Sequence, residues 1–352
     1  MCRNLHLGTL LLLVSLVLSA LNFGCGVGGV QPLTQSSQSP QTSASVSKSM
    51  QAPTLGYAYV TTGSEVRAIN GVPGASVVSP PIALPEGVTG IDFAPGQKSA
   101  IVEQANGAPL AVISFPGAEP GPLVPITGAI SQADVIAFSP NGNAAALYAA
   151  SESRLQVIAG LPSSPRLTRD VGSSELPDAV GFLALADDGV TILAGTANGS
   201  VYLVSGSSPQ LLSSVSSLGA MVFNPKSNDA LVLDSSSGAL SLWQSVSSSL
   251  TTRLLASGFT GLEGGIALSS DGRRAVLTST GANHLWEVDL QSFQTQELQL
   301  PTAPAMLKPL RATGDYLVSW QPGQLACIVD TNQQKGTVYL VPAARTQSAL
   351  AK

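Results

Sequence analysis

One short motif recurs along most of this chain, and it constrains the fold more than any other sequence feature. An apolar strand that ends in a large side chain runs into a tight turn rich in Pro, Gly, Asn and Asp, as in residues 136–142 (IAFSPNG). The large side chain marks an anchor position in six copies: Phe93, Phe138, Leu185, Phe223, Leu268 and Trp320. The anchors are 45, 47, 38, 45 and 52 residues apart, which fits the length of a four-stranded propeller blade.

The remainder of each repeat also predicts strands. Asn-Gly or Asp-Gly pairs begin at positions 141, 188, 198 and 271 and supply the positive φ angles that two-residue hairpins require. The 35 glycines and 24 prolines exclude a helical bundle. Residues 55–350 divide into seven units of about 42 residues. The sequence therefore predicts an all-β propeller of four-stranded antiparallel blades, with seven blades preferred over six. A strand that completes the seventh blade could come from residues 336–341 or 306–310.

The anchor strands have two distinct faces. Because successive residues of a strand point to opposite faces, the anchor shares a face with the residue two positions earlier, and both are apolar in all six copies. This face is predicted to pack blade against blade. The residue between them is mostly small and is expected to line the axis, where Asp92 is an exception. A carboxylate there meets channel water or needs a partner, so Asp92 is either a hydrated structural group or a contact to a ligand or ion.

The first 25 residues have the pattern of a signal peptide. Arg3 precedes fifteen apolar or small residues, 7–21, which fits a secretory core and is shorter than the roughly 20 residues of a membrane span. Residues 21–25 (LNFGC) resemble the lipobox of bacterial lipoproteins. The resemblance implies that Cys25 is lipidated and holds an extracytoplasmic protein at a membrane, in the periplasm or cell envelope. Ordinary secretion is the alternative.

The domain boundaries follow from composition. Residues 26–53 consist largely of Gly, Ser, Gln, Thr and Pro, have Lys48 as their one charge, and show neither helical nor strand periodicity, which predicts a disordered tether. Residues 54–352 form the predicted propeller. Within it, Cys327 lies in an apolar run and is expected to be a buried thiol that behaves as a small hydrophobic residue.

One repeat indicates a family. Residues 266–290 contain the run SDGRRAVLT and the closing segment WEVDL, while residues 57–61 (YAYVT) and 85–88 (PEGV) fit the same pattern. This part of the chain resembles the YVTN and lactonase-like seven-bladed β-propellers, and the resemblance covers about residues 55–345. It implies the propeller fold, and it also implies a lactonase-like hydrolase or another small-molecule enzyme as one possible activity.

Few residues could carry chemistry. His284 is the one histidine beyond the signal peptide, and no nucleophile motif accompanies it, which predicts a rim histidine. Trp243 and Trp286 hold equivalent places in neighbouring repeats and could stack between blades or present a sugar-binding face. The candidates for a hard-cation site with oxygen ligands are all acidic: Glu86, Asp92, Asp178, Glu263 and Asp315. The acidic residues that precede anchors stand at different distances along the chain from them. This favours roles in turns and contact with solvent over a shared ion site.

These observations favour binding over catalysis. The sequence predicts a lipid-tethered extracytoplasmic β-propeller that acts as a non-catalytic binding or interaction scaffold, as a monomer and without a cofactor. The expected partner is an envelope or extracellular protein or polymer. The excess of 21 acidic over 16 basic residues argues against nucleic acid, so no nucleic-acid partner is expected. The alternatives are a lactonase-like hydrolase and a propeller that binds a small ligand or a metal.

Overall fold

Short strands joined by tight turns make up nearly all the regular structure. The computed structural model describes residues 52–60, 65–117, 119–172, 179–206, 208–261, 265–279, 281–322, 324–333 and 335–344. Cys25, the signal peptide and almost all of the predicted tether lie outside these residues. Two of the predicted cation ligands, Asp178 and Glu263, lie outside them as well.

The described strands form seven antiparallel sheets, which confirms the predicted seven-bladed β-propeller. The first sheet differs from the others because it has three strands instead of four. Its strands are β1 (Thr54–Val60), β2 (Glu65–Val72) and β3 (Ala75–Ile82).

The other six sheets have four strands each, in chain order from the inside of the ring to its rim. The second sheet contains β4 (Val88–Phe93), β5 (Ser99–Gln104), β6 (Ala111–Ser114) and β7 (Leu123–Pro125). The third contains β8 (Val135–Phe138), β9 (Ala144–Ala149), β10 (Arg154–Ala159) and β11 (Arg166–Val171). The fourth contains β12 (Val180–Leu185), β13 (Ile192–Thr196), β14 (Ser200–Val204) and β15 (Gln210–Ser214).

The last three sheets repeat this arrangement. The fifth contains β16 (Leu218–Phe223), β17 (Ala230–Asp234), β18 (Ala239–Gln244) and β19 (Thr251–Ala256). The sixth contains β20 (Ile266–Leu268), β21 (Arg274–Thr278), β22 (His284–Asp289) and β23 (Thr295–Gln299). The seventh contains β24 (Lys308–Pro309), β25 (Asp315–Ser319), β26 (Ala326–Asp330) and β27 (Thr337–Val341).

The core lies between neighbouring sheets, as the alternation of the anchor strands predicted. Strand β9 is buried along its whole length, whereas β11 at the rim alternates between exposed and covered residues. One apolar cluster joins Tyr148 and Leu155 of the third sheet to Leu183 and Ile192 of the fourth. Burial of apolar area, at roughly 25 cal/mol per Å², therefore holds each sheet to the next.

The structure corrects one anchor. Five anchors end the first strands of their sheets, but Trp320 follows β25, the second strand of the seventh sheet. The first strand of that sheet, β24, has only two residues and ends at Pro309. A first strand this short and containing proline leaves no apolar pattern, and residues 318–320 imitate the motif one strand later.

Neither predicted segment completes the first sheet as a strand. Residues 337–341 form the rim strand of the seventh sheet, and residues 308–309 form its first strand. The two sheets meet instead through a single parallel bridge between Val78 and Ala343. The amide of Val78 donates to the carbonyl of Pro342, and the amide of Ala344 donates to the carbonyl of Val78.

Helical structure is limited in the described part of the chain to two single turns, Pro95–Gln97 and Ala105–Gly107. None of the residues that the structure describes belongs to a helix that is long and apolar enough to cross a bilayer.

Candidate functional site: a cavity beneath the first sheet

Among the described residues, the first sheet has no innermost strand, whereas each of the other six sheets has one. Strand β1 starts beside the turns that end the neighbouring first strands, where the amide of Arg311 donates to the carbonyl of Leu55. It ends near the beginning of β4, where the hydroxyl of Tyr59 donates to the carbonyl of Thr89 over 2.9 Å. Strand β1 therefore runs in the direction of the second strands, and no described residue fills the first-strand position of this sheet.

A side chain forms two of the backbone hydrogen bonds that a first strand would make with β1. The side-chain oxygen of Gln97 accepts from the amide of Tyr57 over 2.6 Å, and its nitrogen donates to the carbonyl of Tyr57 over 3.1 Å. Gln97 is 1 % exposed and has a φ of 47°, in the left-handed region. Three other repeats place a glycine at this turn position: Gly142, Gly189 and Gly272. Gln97 thus adopts an unfavourable backbone conformation while its amide pairs with a buried strand edge.

Below the hydrogen bonds between Gln97 and Tyr57 lies a cavity of about 740 Å³, here called the first-sheet cavity. It lies between β1 and the first strands of the second and seventh sheets. Four aromatic side chains contribute to its wall: Tyr57, Tyr59, Phe93 and Trp320. Aliphatic side chains, among them Ile136 and Met306, form much of the remaining wall. A concave, mostly apolar space of 300–1,000 Å³ with a few polar groups is typical of small-molecule sites.

Three charged side chains reach the first-sheet cavity. Lys308 on β24 donates to a carboxylate oxygen of Asp92 on β4 over 2.8 Å, so this ion pair crosses the gap between two first strands. Asp92 is therefore paired with a cation, and 41% of its side chain is also accessible. Glu103 also lines the cavity, and its side chain makes no ion pair or hydrogen bond within the part of the chain that the structure describes.

An aromatic cluster secures one wall of the cavity. The rings of Tyr57 and Phe93 stack with centroids 5.6 Å apart, and Phe115 lies 4.7 Å from Tyr57. Arg311 lies over the ring of Tyr57 at 4.9 Å and donates to the carbonyl of Phe115. Burial raises the pKa of the Tyr57 hydroxyl, and the nearby charge of Arg311 opposes that shift. The hydroxyl donates to the carbonyl of Gly117, so Tyr57 is held as a neutral structural group.

The described cation candidates do not converge. Glu86 is exposed in the loop that precedes β4, and Asp92 is paired with Lys308. Asp315 lies at the other mouth of the channel, beside the turns that follow the first strands. Across the described residues, no three histidine, cysteine, aspartate or glutamate side chains lie close enough to hold a metal.

Asp315 instead forms a buried pair with Asp330. The two residues face each other across β25 and β26 and are 2 % and 6 % exposed. Burial, followed by the neighbouring charge of Asp330, raises the pKa of Asp315 to about 7. The side-chain amide of Asn332 donates to Asp315 over 3.3 Å, and its backbone amide donates to Asp330 over 2.8 Å.

The remaining predicted residues occupy structural positions. Trp243 and Trp286 are 2 % and 8 % exposed and pack in the cores between sheets, so they form no sugar-binding face. His284 packs edge-on against Trp286 with ring centroids 4.4 Å apart, and its Nδ1 lies 3.6 Å from Glu297. Cys327 is buried, as predicted, and burial raises the pKa of its thiol to about 11.

The sequence identified Asp92 but missed the other polar residues of the cavity. Lys308 lies 216 positions from Asp92 along the chain, and no local pattern connects them. Gln97 left one signal, since it stands where other repeats have a glycine with positive φ. Glu103 left none.

Comparisons with known proteins place the fold without indicating a function. No family model matches the chain, and no curated protein matches it either. A functionally unknown protein of Desulfotomaculum acetoxidans is similar in structure, with a TM-score of 0.55 and 13% identity over 83% of this chain and 100% of that one.

Two further solved structures have similar folds. The hydrazine synthase of Kuenenia stuttgartiensis has a TM-score of 0.52 and 11% identity, over 85% of this chain and 98% of that one. The RRP9 WD40 repeats have a TM-score of 0.51 and 12% identity, over 75% of this chain and 83% of that one. At these identities the similarities support the β-propeller fold alone.

Proposed function

We propose that this chain is a non-catalytic binding propeller of YVTN-like repeats that takes up a ligand in the first-sheet cavity. One observation carries the proposal, namely the aromatic-walled cavity of about 740 Å³ where the other sheets have an innermost strand. At the backbone edge above it, Gln97 already pairs with Tyr57, and the amide of Arg311 pairs with the carbonyl of Leu55. This pairing, together with a cavity wall formed by side chains, favours a small ligand over an added strand.

The wall composition supports this function. Tyr and Trp side chains combine apolar contact area with a polar group, and such residues are enriched in binding sites. The ion pair of Asp92 and Lys308 is half-exposed, with 41% and 51% of the two side chains accessible, so a ligand can reach both charges.

The proposal is tested by measuring ligand binding to the wild-type chain and to a variant whose cavity is filled by a larger side chain. Ligand-observed NMR with a library of aromatic fragments is expected to find binders to the wild-type chain. Ile136→Trp places a large ring in the cavity and is expected to abolish their binding. The matched control is Leu211→Trp on the rim strand β15, where Leu211 is 53% exposed, and it should leave binding intact. Absence of binders, or binding that survives Ile136→Trp, would refute a role for this cavity.

We further propose that the propeller acts outside the cytoplasm, as a monomer held at the membrane by lipid on Cys25, where its partner is an envelope or extracellular component. The lipobox-like segment and the tether composition support this location. Cys25→Ala is expected to move the protein from the membrane fraction to the soluble fraction. Cys2→Ala removes a cysteine of the same segment and serves as the control. Unchanged fractionation of Cys25→Ala would overturn lipid anchoring.

A further inference from the structure

We infer that the ligand of the first-sheet cavity is a small amphipathic cation, that is, an amine carried on an aromatic or aliphatic body. The inference rests on the proposed binding function and specifies its ligand class. It follows from the charges on the cavity wall and from the position of one carboxylate.

The cavity wall has an excess of negative charge. Asp92 and Lys308 neutralise each other across 2.8 Å, whereas Glu103 has no oppositely charged partner among the residues that the structure describes. A carboxylate beside apolar walls gains most from a cation that brings its own apolar surface, because both the charge and the hydrophobic body then find partners.

The backbone leaves room for this carboxylate. Glu103 on β5 pairs across the strands with Gly90 on β4, and both residues line the cavity. A Cβ atom at Gly90 would lie 2.9 Å from a carboxylate oxygen of Glu103. The absence of a side chain at Gly90 therefore allows the carboxylate to lie over the inner strand, at the cavity wall.

One aromatic residue complements a cation as well. Tyr59 lines the same cavity, and the face of such a ring attracts ammonium groups. Phe93 stacks on Tyr57, and the guanidinium of Arg67 already lies over the ring of Trp320 at 5.8 Å, so these two rings add mainly apolar wall. Among the described residues of this wall, Lys308 is the one cationic partner for an anionic ligand, which must compete with Asp92 and approach Glu103 to reach it.

Three probes of matched shape test the charge of the ligand. They are 4-phenylbutylamine, 4-phenylbutanol and 4-phenylbutyrate, and their affinities for the chain are measured by titration calorimetry at neutral pH, with ligand-observed NMR for the weakest. The amine is expected to bind roughly tenfold more tightly than the alcohol, the gain of one charge-assisted hydrogen bond. The butyrate is expected to bind most weakly.

Two variants separate charge from shape. Glu103→Gln keeps the size of the side chain and should reduce amine affinity to that of the alcohol, while alcohol binding stays unchanged. Lys308→Met frees Asp92 and should strengthen amine binding. Glu86→Gln, in the exposed loop before β4, is the control and should change nothing.

The outcomes distinguish this inference from the function on which it rests. Equal binding of all three probes, a preference for the butyrate, or an amine preference that survives Glu103→Gln overturns the inferred ligand class and leaves cavity binding in place. If no probe binds and the fragment library gives no binder, the proposed function itself fails.

Discussion

The first and fourth sheets close their inner edges by different means. In the fourth sheet, five of the six residues of β12 pair with β13, and the strand also approaches the first strands of both neighbouring sheets. In the first sheet, the partners that the structure describes on the inner edge of β1 include the side chain of Gln97 and the turn amide of Arg311. The comparison shows that, within the described residues, side-chain and turn groups pair part of a buried strand edge where no inner strand is present, and that a cavity lies below them.

The largest effect on this difference between the two sheets is expected from a substitution at Gln97. Gln97→Ala removes both hydrogen bonds to Tyr57, which is 1 % exposed, and leaves a buried amide and carbonyl unpaired. At 1–3 kcal/mol for each of these two groups, the free energy of unfolding should fall by about 2–6 kcal/mol. Guanidinium unfolding followed by tryptophan fluorescence measures the loss.

The control for this variant is Gln104→Ala. Gln104 also donates from its side chain to a carbonyl, that of Pro109, but at an exposed site where water can replace it. Its loss should therefore cost about 1 kcal/mol or less. Equal losses for the two glutamines would show that Gln97 is not a substitute for the missing strand.

A smaller effect is expected at Gly56, where β1 approaches the seventh sheet. A Cβ atom there would lie 2.5 Å from Cδ2 of Leu310 and 2.6 Å from the side-chain oxygen of Gln97. Gly56→Ala should therefore overpack the closure and destabilise the protein by about 1–3 kcal/mol. Gly181→Ala in β12 is the matched control, since a Cβ atom at Gly181 meets nothing within 4 Å. Tolerance of both substitutions to the same degree would contradict a tight closure.

The sixth and seventh sheets give a second comparison, at the start of their second strands. Arg274 faces Asp289 across the strands of the sixth sheet, whereas Asp315 faces Asp330 at the same place in the seventh. Because the pKa of Asp315 is raised to about 7, the folded protein keeps a proton between about pH 4 and 7 that the unfolded chain has lost.

This difference predicts a pH effect in one direction. The extra proton on Asp315 contributes its full stabilisation below about pH 4. This contribution to the free energy of unfolding is lost as pH rises to about 7, by at most about 1.4 kcal/mol per pH unit. Asp315→Asn has no such proton, so the free energy of unfolding of the wild type relative to this variant should fall between pH 5 and pH 8. A difference that stays constant, or rises, across this range would contradict a protonated Asp315.

Prediction from sequence succeeded where the signal was local and repeated. Strand and turn residues recur at nearly constant spacing, so blade length, blade number and the packing of anchors such as Leu185 could be inferred. It failed at Trp320, because the two residues of β24 carry no strand pattern and a second strand imitated the motif. It missed Lys308 and Glu103 because their place on one cavity wall depends on the packing of sheets that are far apart in the sequence.

The sequence by itself determined the repeating unit of this protein, since alternating apolar side chains and glycine-rich turns specify short antiparallel strands wherever they occur. Only the tertiary structure decided how the ring closes. Closure brings Gln97 and Arg311 against β1 and Lys308 against Asp92, and these contacts exist only after seven sheets have packed around one axis. The first-sheet cavity is a product of that closure, because its walls belong to the two ends of the folded chain and to the sheets beside them.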